Sequence, residues 1–338
     1  MTVGSLVGDV PRDVLQALAG RPGRALMLGH VHPDADVLGT LLALGLALEA
    51  RGWSVRYGGP HPPPAVLGFL PGIERYARLP RVDEPFDVIV LTDCPNPDRT
   101  EGLLEQAWRG GGAVLNIDHH PDNRRYGTID WVDPSAAATG EMVYRLLAAL
   151  GASLTAAMAT NLFTAIHTDT GSFRYSNVTP RTFEIASALV GAGAEPALVS
   201  TALYERRAAD ALHFLGLVLA RIEVSEDGRV AWLSLPAGTV PENFVESEEL
   251  VNYPRSIESV RVACFLRERD GQVKVSLRGK GDVDVSRIAA RFGGGGHPNA
   301  AGCTVRATLP EATRVVLEAV RTGLASAAGD GHDGSQTR

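Results

Sequence analysis

The stretch Ala113-Val114-Leu115-Asn116-Ile117-Asp118-His119-His120-Pro121-Asp122-Asn123 decides how this chain is read. A short apolar run reads as a buried strand, and here it delivers a carboxylate and two imidazoles to the strand's carboxyl end. In open α/β sheets that edge is where ligands sit. Surface loops often carry Asp and His, so the triplet gains its meaning from its company.

The same arrangement recurs on both sides of it. Residues 24–29 read as a first strand, followed directly by His30-Val31-His32-Pro33-Asp34-Ala35-Asp36 and an apolar helix over 37–51. Residues 53–57 make a second strand, and the Pro/Gly-rich 58–64 must be connection. A third strand, 87–92, runs straight into Asp93, and 100–109 is helical before the fourth strand at 113–117. Residues 136–167 are helical with a break at Gly151, and Asp169 then opens the turn 169–175. Helical stretches at 179–190 and 195–219 follow. Strands alternating with helices imply right-handed crossovers and a mostly parallel sheet flanked by helices, an α/β architecture.

Beyond about residue 221 the texture changes to short alternating runs at 221–224, 230–235, 260–267 and 273–278. These predict strands of a smaller α+β domain. A short helix at 286–292 is broken by Gly293-Gly294-Gly295-Gly296-His297, and 309–324 is a closing helix. The expected organisation is a first domain over 1–190, a helical linker over 191–220, a second domain over 221–325 across a cleft, and a disordered tail over 326–338.

The composition bounds the class. With 338 residues, 45% hydrophobic and 21% charged, the chain is globular and long enough for two domains. No apolar run approaches the roughly 20 residues that span a bilayer, and residues 1–12 lack a secretory pattern. Cys94, Cys264 and Cys303 are scattered without metal or disulfide spacing, so a cytoplasmic location with reduced thiols is expected. The net charge of −7 argues against non-specific coating of long nucleic acid. Residues 251–306 nevertheless carry ten Lys/Arg against five acids, which suits a short, highly charged ligand.

Carboxyl ends of parallel strands converge on one edge, so four or five carboxylates and two to four imidazoles are expected in one cleft. Carboxylates at such range raise one another's pKa steeply unless a cation compensates. Oxygen and imidazole donors without thiolate favour Mn²⁺, Fe²⁺, Co²⁺ or Zn²⁺ over Ca²⁺. Two such ions would make a phosphoester-hydrolysing centre. Plainer readings exist for each part. Asp34 and Asp36 suit the start of a helix, Asp122 and Asn123 suit a turn, and His167 and His213 suit ordinary core or surface positions. An aspartyl-phosphate mechanism built on Asp34-Ala35-Asp36 lacks a lysine in this half, since Lys274 and Lys280 are the only two in the chain.

Taken in order, the motifs around His30, Asp93, His119 and Asp169 resemble those of the DHH phosphoesterase family. Gly293-Gly294-Gly295-Gly296-His297-Pro298-Asn299-Ala300-Ala301-Gly302 is similar to the glycine-rich signature of its DHH-associated C-terminal domain. The compact length resembles the NrnA-type nanoRNase and 3′-phosphoadenosine-5′-phosphate (pAp) phosphatase branch, without room for the extra segments of RecJ exonucleases. The resemblance implies two Mn²⁺, with Co²⁺ or Mg²⁺ as substitutes. His30, Asp34 and bridging Asp93 would hold one ion, and Asp36, Asp93, His119 and Asp169 the other. Asp118 would orient an imidazole, and His120 would face the scissile phosphate. His32 stands where the family usually has Asn. Arg278, His297, Gly294, Gly295 and Gly296 are the expected substrate-binding residues, with Arg255, Arg99 and Arg174 as weaker candidates. Phe173, Tyr175 and Phe292 are the aromatic candidates for base stacking, core packing being the plainer reading for Phe292. Expected substrates are short RNA, linear or cyclic dinucleotides or pAp, with short single-stranded DNA and a homodimer also in view. The alternatives are a pyrophosphatase and a non-catalytic cyclic-dinucleotide sensor.

Overall fold

In the computed structural model, which describes residues 10–206, 208–240 and 249–330, the chain divides into two compact units, Met1–Arg206 and Arg207–Arg338. The first contains α1 (Arg12–Ala19), β1 (Arg24–Leu28), α2 (Ala35–Ala50), β2 (Ser54–Gly59), β3 (Tyr76–Arg78), β4 (Val88–Thr92), α3 (Leu103–Trp108) and β5 (Ala113–Asp118). It continues with β6 (Ile129–Val132), α4 (Thr139–Ala149), α5 (Ala156–Asp169), α6 (Pro180–Gly191) and α7 (Pro196–Tyr204).

The six strands pair in parallel throughout, in the order β3-β2-β1-β4-β5-β6. Because helices cover both faces, β4 is buried at all five positions, which is why it reads as an unbroken apolar run. The strand order reverses between β1 and β4, the place where doubly wound sheets open a crevice for ligands. Two strands were not foreseen. β3 and β6 span three and four residues, too few to show an alternating pattern. The helical run expected over 136–167 is two helices, parted at Gly151, whose φ is +67°.

Helix α2 is apolar around nearly its whole circumference and correspondingly buried. It packs on α5 so closely that a methyl on Gly39 would come within 2.4 Å of the Asn161 carbonyl oxygen. Only glycine permits that crossing, and the crossing brings the start of α2 beside the end of α5.

The second unit contains α8 (Ala209–Leu219), β7 (Glu223–Val224), β8 (Val230–Leu235), α9 (Asn252–Ser256), β9 (Val262–Arg269) and β10 (Gln272–Gly279). After these come α10 (Val285–Ala290), β11 (Gly295–His297), β12 (Ala300–Val305) and α11 (Leu309–Asp330). Its mixed sheet has the order β11-β12-β10-β9-β8-β7, with β8 and β9 parallel and the other pairs antiparallel. Val273, Val275 and Leu277 of β10 face a core shared with Ile288 and Val320, while Lys274, Ser276 and Arg278 lie on the other face. The glycine run is not a simple loop, since Gly295–His297 forms an edge strand against β12.

The stretch expected as a helical linker is divided between the units, α7 in the first and α8 in the second. The closing helix runs on to Asp330, into the expected tail, and residues 331–338 lie outside the described residues. Among the described residues no single helix is long and apolar enough to cross a membrane.

Candidate metal centre

In the first unit the carboxyl ends of β1, β4 and β5 and the end of α5 supply the site. After β1, the chain turns through His30 and reaches Asp34, whose Oδ1 accepts the Asp36 and Val37 N–H groups at 3.1 Å and so caps α2. The capping reading is therefore right for Asp34, and it does not exclude the other one. One ligand atom of His30, of Asp34 and of Asp93 lie within 4.8 Å of one another. Asp36, Asp93 and His119 form a second such group, and Asp93, Asp118 and His120 a third. Asp93 is common to all three.

Asp93 follows β4 at φ +53°, a left-handed conformation that an Asp tolerates but rarely adopts. The turn throws its carboxylate toward β5, where Oδ1 lies 3.3 Å from His119 Nε2 and 3.4 Å from His120 Nδ1. The Thr139 hydroxyl donates to the same oxygen at 3.1 Å. Asp169, the last residue of α5, closes the ring with Oδ2 at 3.3 Å from His119 Nε2. Asp36 sits inside the first turn of α2 and points at the start of α4. Its two oxygens accept the Thr139 and Gly140 N–H groups at 2.7 and 2.9 Å. Those are orphan donors of a helix N-terminus, which favours a negative charge.

The imidazoles are held by their other nitrogens. His119 Nδ1 lies 3.1 Å from the Ala136 carbonyl oxygen and donates to it, which turns Nε2 toward the carboxylates. His30 Nδ1 lies 2.7 Å from the Val31 carbonyl oxygen, and its buried Nε2 has no hydrogen-bond partner. His120 Nδ1 bonds Asp118 Oδ1 at 2.8 Å, and Asn123 donates to Asp118 Oδ2 at 2.5 Å. Asp118, fully buried, thus orients His120 rather than His119.

The charged groups of the cluster act strongly on one another. Burial and the charges of Asp93 and Asp169 push the Asp36 carboxyl well above the ordinary range. Burial lifts Asp169 to about 7, with His119 opposing and Asp93 and Asp34 adding to the rise. Burial alone would lower both DHH imidazoles, but Asp93, Asp169 and Asp118 outweigh it, bringing His119 to about 10 and His120 to about 12. Burial would likewise raise Asp93, yet His120 and His119 hold it well below the usual carboxylate range. An orphaned Nε2 on His30, converging carboxylates and no thiolate among them fit oxygen- and imidazole-liking divalent ions. Cys94 stays out of the donor set. Burial pushes its thiol up to about 11, and its Sγ lies 3.3 Å from the Asn96 carbonyl oxygen.

Several contributors had no sequence signal of their own. Thr139 and Gly140 serve Asp36 and Asp93 from more than 40 residues away. Asn123, expected only to make a turn, also locks Asp118. Asn177 donates to the carbonyl oxygens of Ala137 and Asp169, tying the two loops together. His32 adopts φ +50° with its ring 4.4 Å from that of His61. His167 lies against Phe163 and Phe173, and His213 is exposed on α8, as ordinary histidines do.

The weaker arginine candidates are spread out. Arg99 reaches within 3.2 Å of His30 Nδ1, whereas Arg174 Nε bonds the Gly171 carbonyl oxygen in its own turn. Arg255 is on α9, and Arg278 and His297 are on β10 and β11 of the second unit.

Known proteins share this layout. Residues 24–166 match the DHH family, N-terminal domain, and residues 242–325 match the DHHA1 domain. A bifunctional oligoribonuclease and PAP phosphatase NrnA from Thermus thermophilus is 37% identical over 94% of this chain and 95% of its own length. The protein of the same description from Bacillus subtilis is 28% identical over 86% of this chain and 91% of its own. Among solved structures, an exopolyphosphatase-related protein from Bacteroides fragilis superposes with a TM-score of 0.84 at 26% identity, covering 93% of this chain and 97% of that one.

Proposed function

The chain belongs to the DHH family as a phosphoesterase with a DHHA1 domain, and from that premise we propose that it hydrolyses short oligoribonucleotides and pAp. The observation that carries this reading is the ring of carboxylates and imidazoles centred on Asp93, in a chain similar over nearly its full length to a bifunctional oligoribonuclease and PAP phosphatase.

His30, Asp34 and Asp93 would hold one Mn²⁺, and Asp36, Asp93, His119 and Asp169 a second, with Co²⁺ or Mg²⁺ as substitutes. Bound there, the ions supply Lewis acidity and neutralise the charge of the phosphate under attack. Asp93 would serve both, and its carboxylate is held ionised by the neighbouring imidazoles of His120 and His119. The α4 N-terminus fixes Asp36, and the Ala136 carbonyl fixes the His119 ring, as carbonyls often do for metal-bound histidines. His120, its Nδ1 committed to Asp118, is the residue to hand a proton to the leaving oxygen from Nε2. Arg99, beside His30, would contact a phosphate oxygen. In the second unit Arg278 would grip a terminal phosphate through its fork of donors, with His297, Gly294, Gly295 and Gly296 at the neighbouring edge.

The test is a substrate panel run with Mn²⁺: pAp, pApA, pGpG, longer RNA, single-stranded DNA and inorganic pyrophosphate. Turnover of pAp and the dinucleotides, with pyrophosphate untouched, is expected. Hydrolysis of pyrophosphate alone would replace this reading by a pyrophosphatase, and binding of cyclic dinucleotides without turnover would replace it by a sensor.

A further inference from the structure

Between β6 and α4 the chain runs Asp133-Pro134-Ser135-Ala136-Ala137-Ala138, and this loop serves two metal-binding side chains at once. The Ala136 carbonyl oxygen holds the His119 ring, and the first two N–H groups of α4, just beyond the loop, hold Asp36. Three alanines and a proline give the loop little side chain of its own to anchor it. The anchors come from α4 instead. Arg145, 4% exposed, donates through Nη1 to Asp133 Oδ2 at 2.9 Å, and its guanidinium carbon lies 5.3 Å from the centre of the Trp131 ring. The other carboxylate oxygen of Asp133 accepts the Ser135 N–H and hydroxyl, and the Asp133 carbonyl accepts the Ala136 N–H. One turn before Arg145, the buried Glu141 accepts the Ala137 N–H and the Thr182 hydroxyl at the start of α6.

A buried ion pair stabilises a fold little, because apolar side chains of the same size do as well or better. We propose that Arg145 is a positioning residue for the ion assigned to Asp36, Asp93, His119 and Asp169, acting through Asp133 and the loop on His119 and Asp36. The pair fixes the loop at its entry, and Glu141 fixes it at its exit. His30 and Asp34, of the other set, follow β1 and have partners of their own in the Val31 carbonyl and the α2 N-terminus. The two ions should therefore respond unequally to a change at Arg145. The inference rests on the proposed metal centre and adds which buried charge sets one half of it.

The full-length protein is titrated with Mn²⁺, and free ion is read by electron paramagnetic resonance to give the dissociation constants of the two ions. Arg145→Met keeps the length of the side chain and its packing on Trp131 and removes the charge. The constant that His119→Gln raises most should rise roughly 10–100-fold, the effect of losing a group that orients a metal ligand. The other constant should stay nearly as it was. In the metal-free protein the His119 Nδ1 proton, sheltered by the Ala136 carbonyl, should exchange with water faster in the variant, read by nitrogen-15 NMR. Arg145→Lys restores the charge and should recover part of both effects. Should Arg145→Met fail to fold, Asp133→Asn tests the same pair from its less buried end, 22% exposed, and should move the same constant in the same direction. A lower melting temperature with both constants and the exchange rate unchanged would reduce the pair to fold stability and overturn the proposal, as would equal weakening of both ions. No Mn²⁺ bound by the unaltered protein would sink the metal centre itself, whereas two bound ions indifferent to Arg145 would sink this inference alone.

Discussion

The strand ends of the first unit carry carboxylates and imidazoles, the open sheet face of the second carries cations and hydroxyls, and the two regions hold their polar groups in opposite ways. At the strand ends the side chains of Asp36, Asp93, Asp118 and His119 are all under 7% exposed, and each has a partner fixing its direction. On the sheet face Lys274 and Thr304 stand exposed and Ser276 is half-buried. The contrast fits the roles proposed for the two regions. Groups that neutralise developing charge work best when they need no reorganisation, so they are buried and braced in advance. Groups that read a ligand must stay open to it.

This division can be broken by substitution. The largest effect is expected from Asp93→Asn, which keeps the shape of the shared residue and removes its charge. Activity on pApA should fall by a factor on the order of a thousand or more, with metal lost in parallel, measured by steady-state kinetics and elemental analysis. Arg278→Ala should raise KM for short substrates roughly 10–100-fold, the worth of a charge-assisted contact, while leaving bound metal intact. Parallel loss of metal and activity in that variant would dissolve the division of labour.

Thr139→Val sharpens the comparison from the buried side. It removes the hydroxyl that donates to Asp93 and leaves the backbone bond to Asp36. Metal affinity should drop about tenfold, as for other groups that orient metal-binding side chains, and a competition titration reads this directly.

The smallest effect concerns pH. Without metal, Asp169 holds a proton up to about pH 7 that the unfolded chain releases near pH 4, so its contribution is lost between about pH 4 and 7. His119, raised to about 10, stabilises fully below its ordinary pKa and loses that contribution toward pH 10. Between about pH 6.5 and 9 the loss is therefore that of His119. Chelated protein should therefore melt a few degrees lower at pH 9 than at pH 6.5. Metal-loaded protein should not, because its ligands bind better as protons leave. Differential scanning of the two forms checks it.

How much of this was legible in the sequence depended on range. The strands β1, β4 and β5 and the acids and imidazoles that follow them were readable, because burial on both faces leaves unbroken apolar runs ahead of polar triplets. β3 and β6 were not, since three or four residues at a sheet edge leave no pattern. Likewise Asp34 could be read as a helix cap from its neighbours alone. Thr139, Gly140 and Asn177 could not be found, because they act through backbone groups or one or two hydrogen bonds to residues brought near only by the fold. The edge strand at Gly295–His297 was hidden for the opposite reason: glycines read as loop unless a partner strand is known.

The most direct test is a metal count on the dialysed protein after loading with Mn²⁺, by elemental analysis against protein concentration. Two ions per chain are predicted, lost on Asp93→Asn. A chain that binds no Mn²⁺ and still hydrolyses pApA in the presence of EDTA would contradict the account.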